Sequence, residues 1–122
     1  MKLKFLIAPI MAGLFCISAT ASDKVLKVEE LYAKKTELDG KSVIAKGKVV
    51  KKSSAILGKD WIHIQDNSKT PKKNTVIFTA KIGSANVSIG DTVTAKGTLK
   101  ADVDIGSGYF YEVLIEDSIF SK

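Results

Sequence analysis

The strongest constraint on the fold of this chain is the alternation of apolar and polar residues in several of its segments. The alternation is clearest from residue 60 to residue 66, where Ile62 and Ile64 fall on one face of an extended chain. The opposite face carries an aromatic ring, an imidazole and an amide, which belong to Trp61, His63 and Gln65. A strand with this pattern is half-buried, and its outer face can stack on a ligand or form hydrogen bonds with it.

The same period of two recurs along the chain and predicts five strands. Turn-forming residues separate the runs, and a short helix with one apolar face is expected before them, over residues 28–35. The predicted strands cover residues 42–52, 60–66, 75–80, 92–100 and 109–116. Glycines in the middle of the first and fourth strands, Gly47 and Gly97, indicate bends of the kind found at the corners of a barrel.

The order of the strands narrows the choice of architecture. Three strands, a short connector and two further strands are the order of an OB-fold, in which ligands bind on the second and third strands and at neighbouring loops. We therefore predict an all-β fold, a five-stranded OB-fold barrel with a short N-terminal helix, as one domain over residues 22–122. An SH3-like barrel or a small sandwich is the structural alternative, because only the strand pairing separates them.

The first 21 residues have the pattern of a secretory signal peptide. Lys2 and Lys4 precede an apolar run over residues 5–17, which is short for a membrane span. Residues 19–21 then form a small-x-small cleavage site. We predict cleavage after Ala21 and a periplasmic location for the mature chain.

The cysteine count bounds the chemistry of the mature chain. The only cysteine, Cys16, lies in the leader, and Phe15 before it argues against a lipoprotein, whose signals have a small residue there. The mature domain therefore lacks disulfides, thiol nucleophiles and thiolate metal sites. No GxSxG or His-x-x-x-His motif is present, and His63 is the only histidine. We predict that the protein is not an enzyme and carries no cofactor.

Every basic residue of the chain is a lysine. The net charge of +6 falls to +4 when Lys2 and Lys4 leave with the signal peptide, because every acidic residue lies after position 21. Arginine is the usual residue for bidentate recognition of bases and phosphates. A surface with lysines alone predicts diffuse, salt-sensitive attraction to polyanions, and the alternative is a solvated basic surface without a ligand.

Four segments resemble the small exported bacterial proteins that consist of a single OB-fold. These segments are residues 47–51, 58–66, 89–97 and 111–117. The related proteins include the one found beside periplasmic cytochrome c nitrite reductase, and they are generally labelled as nucleic-acid-binding. The resemblance covers most of residues 40–118 and implies the fold more strongly than any ligand. Residues 61–66 are also similar to the anticodon-binding OB domains of some tRNA synthetases, which implies that Trp61 stacks on a base.

Three side chains on the outer face of the second predicted strand form the candidate site. Trp61 is either a stacking platform or a ring packed under the apolar loop at Ile56 and Leu57. His63 is either a ligand contact or a surface histidine, and a lone histidine makes a weak metal site. Gln65 either meets the ligand or bridges to a neighbouring strand. Three lysines are expected at the rim: Lys48, Lys51 and Lys59.

These patterns predict a non-catalytic periplasmic binding module. Fold and charge favour single-stranded nucleic acid or another polyanion as its ligand. The alternative, a protein partner such as a periplasmic redox enzyme of cytochrome c type, follows from the resemblance. The two classes differ in their salt dependence, which is steep for a polyanion.

Overall fold

The computed structural model describes residues 24–69 and 74–122, in which six strands form one sheet accompanied by two short helices. The elements are β1 (Val25–Leu26), α1 (Val28–Ala33), α2 (Lys35–Leu38), β2 (Ser42–Ile56), β3 (Lys59–Gln65), β4 (Thr75–Ala80), β5 (Thr92–Gly106) and β6 (Tyr109–Ser121). The prediction of an all-β fold is thus confirmed. The predicted signal peptide, with Cys16, lies outside the described residues.

The strand pairings form a closed circuit through β2 to β6. β2 pairs with β3 and β3 with β4, in both cases antiparallel. β4 then pairs with β6 in parallel, and β6 pairs antiparallel with β5. β5 returns to the first half of β2, where Ser42 lies opposite Thr98 and Lys48 opposite Thr92. The short β1 adds to β2 in parallel.

Gly47 lies where β2 changes neighbours from β5 to β3. A Cβ atom on Gly47 would lie 2.5 Å from the carbonyl oxygen of Gln65 and 2.7 Å from Cγ2 of Ile64. Gly97 has an equally close neighbour, because its Cβ would lie 2.7 Å from the carbonyl oxygen of Glu116. The two mid-strand glycines predicted to mark bends are therefore places where one strand crosses close to another.

The hydrophobic core consists of side chains from the strand and helix faces that the sequence pattern predicts to be buried. Ile62 and Ile64 of β3 are fully buried, as are Val28 and Leu31 of α1. The helix is held to the sheet at its first turn, where two backbone N–H groups have no partner within the helix. The Val28 N–H donates at 2.8 Å to Oδ2 of Asp66, and the Glu29 N–H donates at 3.0 Å to Oγ of Ser68. Both acceptors lie in the segment that follows β3.

Three strands are longer than their sequence patterns predict, and the predicted helix over 28–35 is divided at Lys34. The predicted loops over 53–59 and 102–108 are instead largely the arms of two hairpins. Each hairpin closes through two residues with positive φ, Leu57 (52°) with Gly58 (77°) and Ser107 (54°) with Gly108 (83°). Positive φ at both positions is the mark of a type I′ turn, whose twist matches that of the flanking strands.

Candidate binding groove

An open groove of about 440 Å³ lies on the outer face of β3 and β4, between the two hairpins. Its lining is mostly aromatic and aliphatic, with one lysine. The lining residues are Lys51, Ser53, Ile56, Leu57, Trp61, His63, Ile77, Ile105, Tyr109 and Tyr111. A concave apolar surface with a few polar groups is the common form of a ligand site. Three of the six predicted site residues, Trp61, His63 and Lys51, meet in it.

A β-bulge in β2 brings the side chain of Lys51 to the groove. Lys48 lies opposite Gln65, and Lys51 lies opposite His63, so one residue of β2 between them is extra. Without the bulge, the alternation along β2 would turn Lys51 toward the core. The extra residue shifts the alternation by one and places Lys51 on the outer face, beside the imidazole.

Trp61 forms the floor of the groove and is 7% exposed. Its indole N–H donates to the carbonyl oxygen of Ile56 at 2.8 Å. Its ring lies 5.8 Å, centroid to centroid, from that of Tyr111 at an angle of 38°. The two interpretations of Trp61 are therefore compatible, because its ring packs against the hairpin and also lines the groove.

Asp60 fixes the base of the hairpin from the opposite face of β3. Asp60 is 3% exposed, and its carboxylate accepts the N–H of Ala55 at 2.9 Å and the N–H of Gly83 at 2.9 Å. The hydrogen bonds from Ala55 and Gly83 hold the pKa of Asp60 below its ordinary range. Ala55 has a φ of 57°, so the carboxylate stabilises a backbone conformation that alanine rarely adopts.

His63 is half-buried beside Lys51. Burial, and to a smaller extent the charge of Lys51, lower the pKa of His63 from its ordinary value. The imidazole is therefore neutral near pH 7, and Lys51 is the one positively charged group among the residues that line the groove.

The other predicted site residues lie away from the groove. Gln65 is exposed at the far end of β3, opposite Lys48. Lys59 lines a separate, smaller cavity of about 150 Å³, and its Nζ lies 3.9 Å from Oε2 of Glu116. The predicted site residues are therefore spread over three surfaces: the groove, the exposed end of β3 at Gln65 and the smaller cavity at Lys59.

The contribution of the β5–β6 hairpin is the part of the site that the sequence analysis missed. The alternation along the last predicted strand places Tyr109, Tyr111, Val113 and Ile115 on one face, and only Val113 and Ile115 of these are buried. The pairing of β6 with β4 extends only from Leu114 onward. Before Leu114 the strand pairs with β5 and no longer with β4, so its tyrosines line the groove instead of the core.

The tips of the two hairpins carry large apolar side chains in contact with solvent. The exposed fraction is 69% for Leu57 and 58% for both Tyr109 and Phe110. Ile56 and Ile105 are exposed as well. A group of exposed apolar side chains around a concave surface marks an interaction site more often than scattered exposed residues do.

Within residues 24–69 and 74–122, no group of three or more His, Cys, Asp and Glu side chains is placed to hold a metal ion. None of the helices in the same residues has the length and hydropathy needed to cross a bilayer.

Comparisons with known proteins give a fold and no family. No family model and no curated protein match the sequence. Among solved structures, the chain is similar to the one described as OBody AM3L09 bound to hen egg-white lysozyme. The TM-score is 0.57 at 17% identity, over 80% of this chain and 93% of that one. At this identity the similarity concerns the fold alone.

Proposed function

We propose that the protein is an exported, non-catalytic binding module built on an OB-type barrel. The closed circuit of pairings through β2 to β6 and the order of three strands, connector and two strands support this architecture. The groove lies between the β2–β3 and β5–β6 hairpins, which correspond to the loops that carry ligands in such barrels.

One observation carries the choice of ligand class. Side chains from both hairpins surround the groove, and most of these are aliphatic or aromatic, with Lys51 as the only cation among the lining residues. Protein interfaces are rich in aromatic residues and poor in lysine at their centre. A groove for single strands would combine stacking rings with a positively charged track for the backbone. The groove therefore favours a protein segment with apolar side chains over a polyanion.

A polyanion is the second candidate, and a different surface favours it. Four lysines are exposed on β2 and β5, and no ion pair is formed by any of them within the described residues: Lys46, Lys48, Lys96 and Lys100. Adjacent unpaired ammonium groups attract polyanions through counterion release. Charged strand faces also deter aggregation, so this surface has an explanation without any ligand.

The test compares two probes on the purified exported protein. Peptides selected from a random library and a single-stranded oligonucleotide are each titrated while the fluorescence of Trp61, the only tryptophan, is recorded. We expect peptides to change the emission and to bind with little dependence on salt, and Lys48→Glu to leave their binding unchanged. Oligonucleotide binding that disappears at moderate salt and in Lys48→Glu, with no peptide selected, would contradict the proposal.

A further inference from the structure

The first position of the β2–β3 turn is occupied by a residue that is poorly suited to its backbone conformation. Leu57 has a φ of 52°, in the left-handed region where glycine and asparagine are the favoured residues. A leucine there places Cβ too close to the neighbouring backbone, which destabilises the turn. Strain of this kind persists where surrounding structure enforces it, and it is concentrated at functional sites.

The second hairpin of the chain provides a direct comparison. Ser107 occupies the same position of a turn with nearly the same φ, 54°, and is likewise followed by a glycine. Ser107 is small and does not line the groove, whereas Leu57 lines it. The turn geometry therefore does not require a large side chain, and of the two residues only the one that lines the groove has one.

Packing within the chain does not account for the leucine. Its exposed fraction of 69% is the highest among the large apolar residues in the described part of the chain, and it does not belong to the core cluster. Its two neighbours toward the core are tied in place, Ile56 by the indole N–H of Trp61 and Ala55 by the carboxylate of Asp60. The hairpin thus holds an apolar side chain out toward solvent in one orientation.

The charge around this side chain indicates what it meets. Lys51 is exposed, and none of the described acidic side chains lies within ion-pair distance of its Nζ. The residues that line the groove include no carboxylate. A partner that covers the apolar lining would therefore bury Lys51 next to it and would need a negative charge to compensate.

We propose that Leu57 is retained at a loss of stability because it contacts the partner directly, and that the partner is a segment of another protein with adjacent apolar side chains and a carboxylate. This inference rests on the proposed function of the groove. The apolar side chains of the segment lie between Leu57 and Tyr109, and its carboxylate pairs with Lys51. A preformed hairpin limits the conformational entropy lost on binding.

The test uses Leu57→Asn, with Ser107→Asn as its matched control. Asparagine tolerates the left-handed region, so Leu57→Asn should raise the midpoint of thermal unfolding by about 2–6 °C. The same variant should bind a library-selected peptide roughly tenfold more weakly or worse. Ser107→Asn should leave peptide affinity within twofold of the original protein. Replacing the carboxylate of the peptide by an amide should weaken its binding to the original protein and have little effect on Lys51→Gln.

The outcomes separate this inference from the proposal on which it rests. If no library peptide binds, the proposed function of the groove fails. If peptides bind but Leu57→Asn keeps their affinity, or if its unfolding midpoint does not rise, the role of Leu57 is wrong while the groove stands. Selected peptides that lack acidic residues would overturn the assigned charge of the partner.

Discussion

The indole N–H of Trp61 donates to the carbonyl oxygen of Ile56, so the ring that forms the floor of the groove also holds one of its walls. The preceding residue of β3, Asp60, accepts the N–H of Ala55. Two adjacent residues of β3 thus form hydrogen bonds with two adjacent residues of the hairpin. The wall is thus fixed from both faces of one strand. This arrangement connects the stability of the fold with the shape of the groove.

Substitutions at Trp61 separate its hydrogen bond from its packing. Trp61→Phe keeps a ring in the floor and loses the donor to Ile56, which should lower the free energy of unfolding by about 1 kcal/mol. Trp61→Ala also opens a cavity and should lower it by about 3–5 kcal/mol. Urea unfolding followed by far-UV circular dichroism measures both, since neither variant has a tryptophan. Tyr109→Phe, at an exposed lining position, is the control, and equal unfolding curves for Trp61→Phe and the original protein would show that the hydrogen bond has no net effect.

The depressed pKa of His63 predicts that stability falls as the pH is lowered. The unfolded chain binds a proton near the ordinary pKa of about 6.5, whereas the folded chain binds it only at lower pH. The contribution is therefore present above pH 6.5 and is lost as the pH falls from that value through the folded pKa. His63→Gln should remove this part of the pH dependence of the unfolding midpoint.

The same pKa can be observed directly from the imidazole. The NMR titration of the single histidine should give a value below 6.5. Lys51→Gln should raise this value only in part, because burial is the larger cause of the shift. Full recovery of the ordinary pKa in Lys51→Gln would assign the shift to charge instead of burial.

Asp60 predicts a second loss of stability, at acidic pH. Its pKa is lowered in the folded state, so its contribution is present above the ordinary carboxyl pKa and is lost as the pH falls through the folded value. Asp60→Asn should be less stable at neutral pH and should show a shallower acid transition. Hydrogen exchange at the Ala55 amide should accelerate in this variant. Asp117→Asn, at an exposed position, should leave both measurements unchanged.

Gly47→Ala tests the crossing of β2 over β3. The new methyl group meets a backbone oxygen, which cannot move without disturbing the pairing of Gln65 with Lys48. We expect a loss of about 1–3 kcal/mol in the free energy of unfolding, measured by urea unfolding. Lys46→Ala, on the exposed face of the same strand, should change it by less than about 0.5 kcal/mol. Similar values for the two variants would mean that the backbone relaxes freely at the crossing.

The sequence predicts those features that depend on local alternation. Ile62 and Ile64 enter the core, and Trp61 and His63 lie on the opposite face, because β3 pairs with β4 without a register shift along its length. The mid-strand glycine at Gly47 also signals its crossing. These features can be predicted from the sequence, because the face on which a side chain lies depends only on its position along its own strand.

The remaining features depend on pairing between strands and on turn geometry, which the alternation of residues along one strand does not specify. The bulge in β2 reverses the direction of Lys51 without any glycine or proline to mark it. The turn at Leu57 and Gly58 lacks the Asn-Gly or Asp-Gly pair that announces a type I′ hairpin, so it resembles a loop in sequence. The position of Tyr111 is decided by where β4 stops pairing with β6.

Since the two halves of β2 pair with strands at very different distances along the chain, the order in which the fold can assemble is restricted. Its second half pairs with β3, the next strand along the chain, whereas its first half pairs with β5, which follows much later. Contacts between distant segments require larger loops to close and form more slowly. The meander of β2, β3 and β4 can therefore fold first. Residues 42–47 of β2 pair with β5 in a later step. In pulsed hydrogen exchange during refolding, the amides of the β2–β3 hairpin around Ile56 should become protected before those of residues that pair β2 with β5.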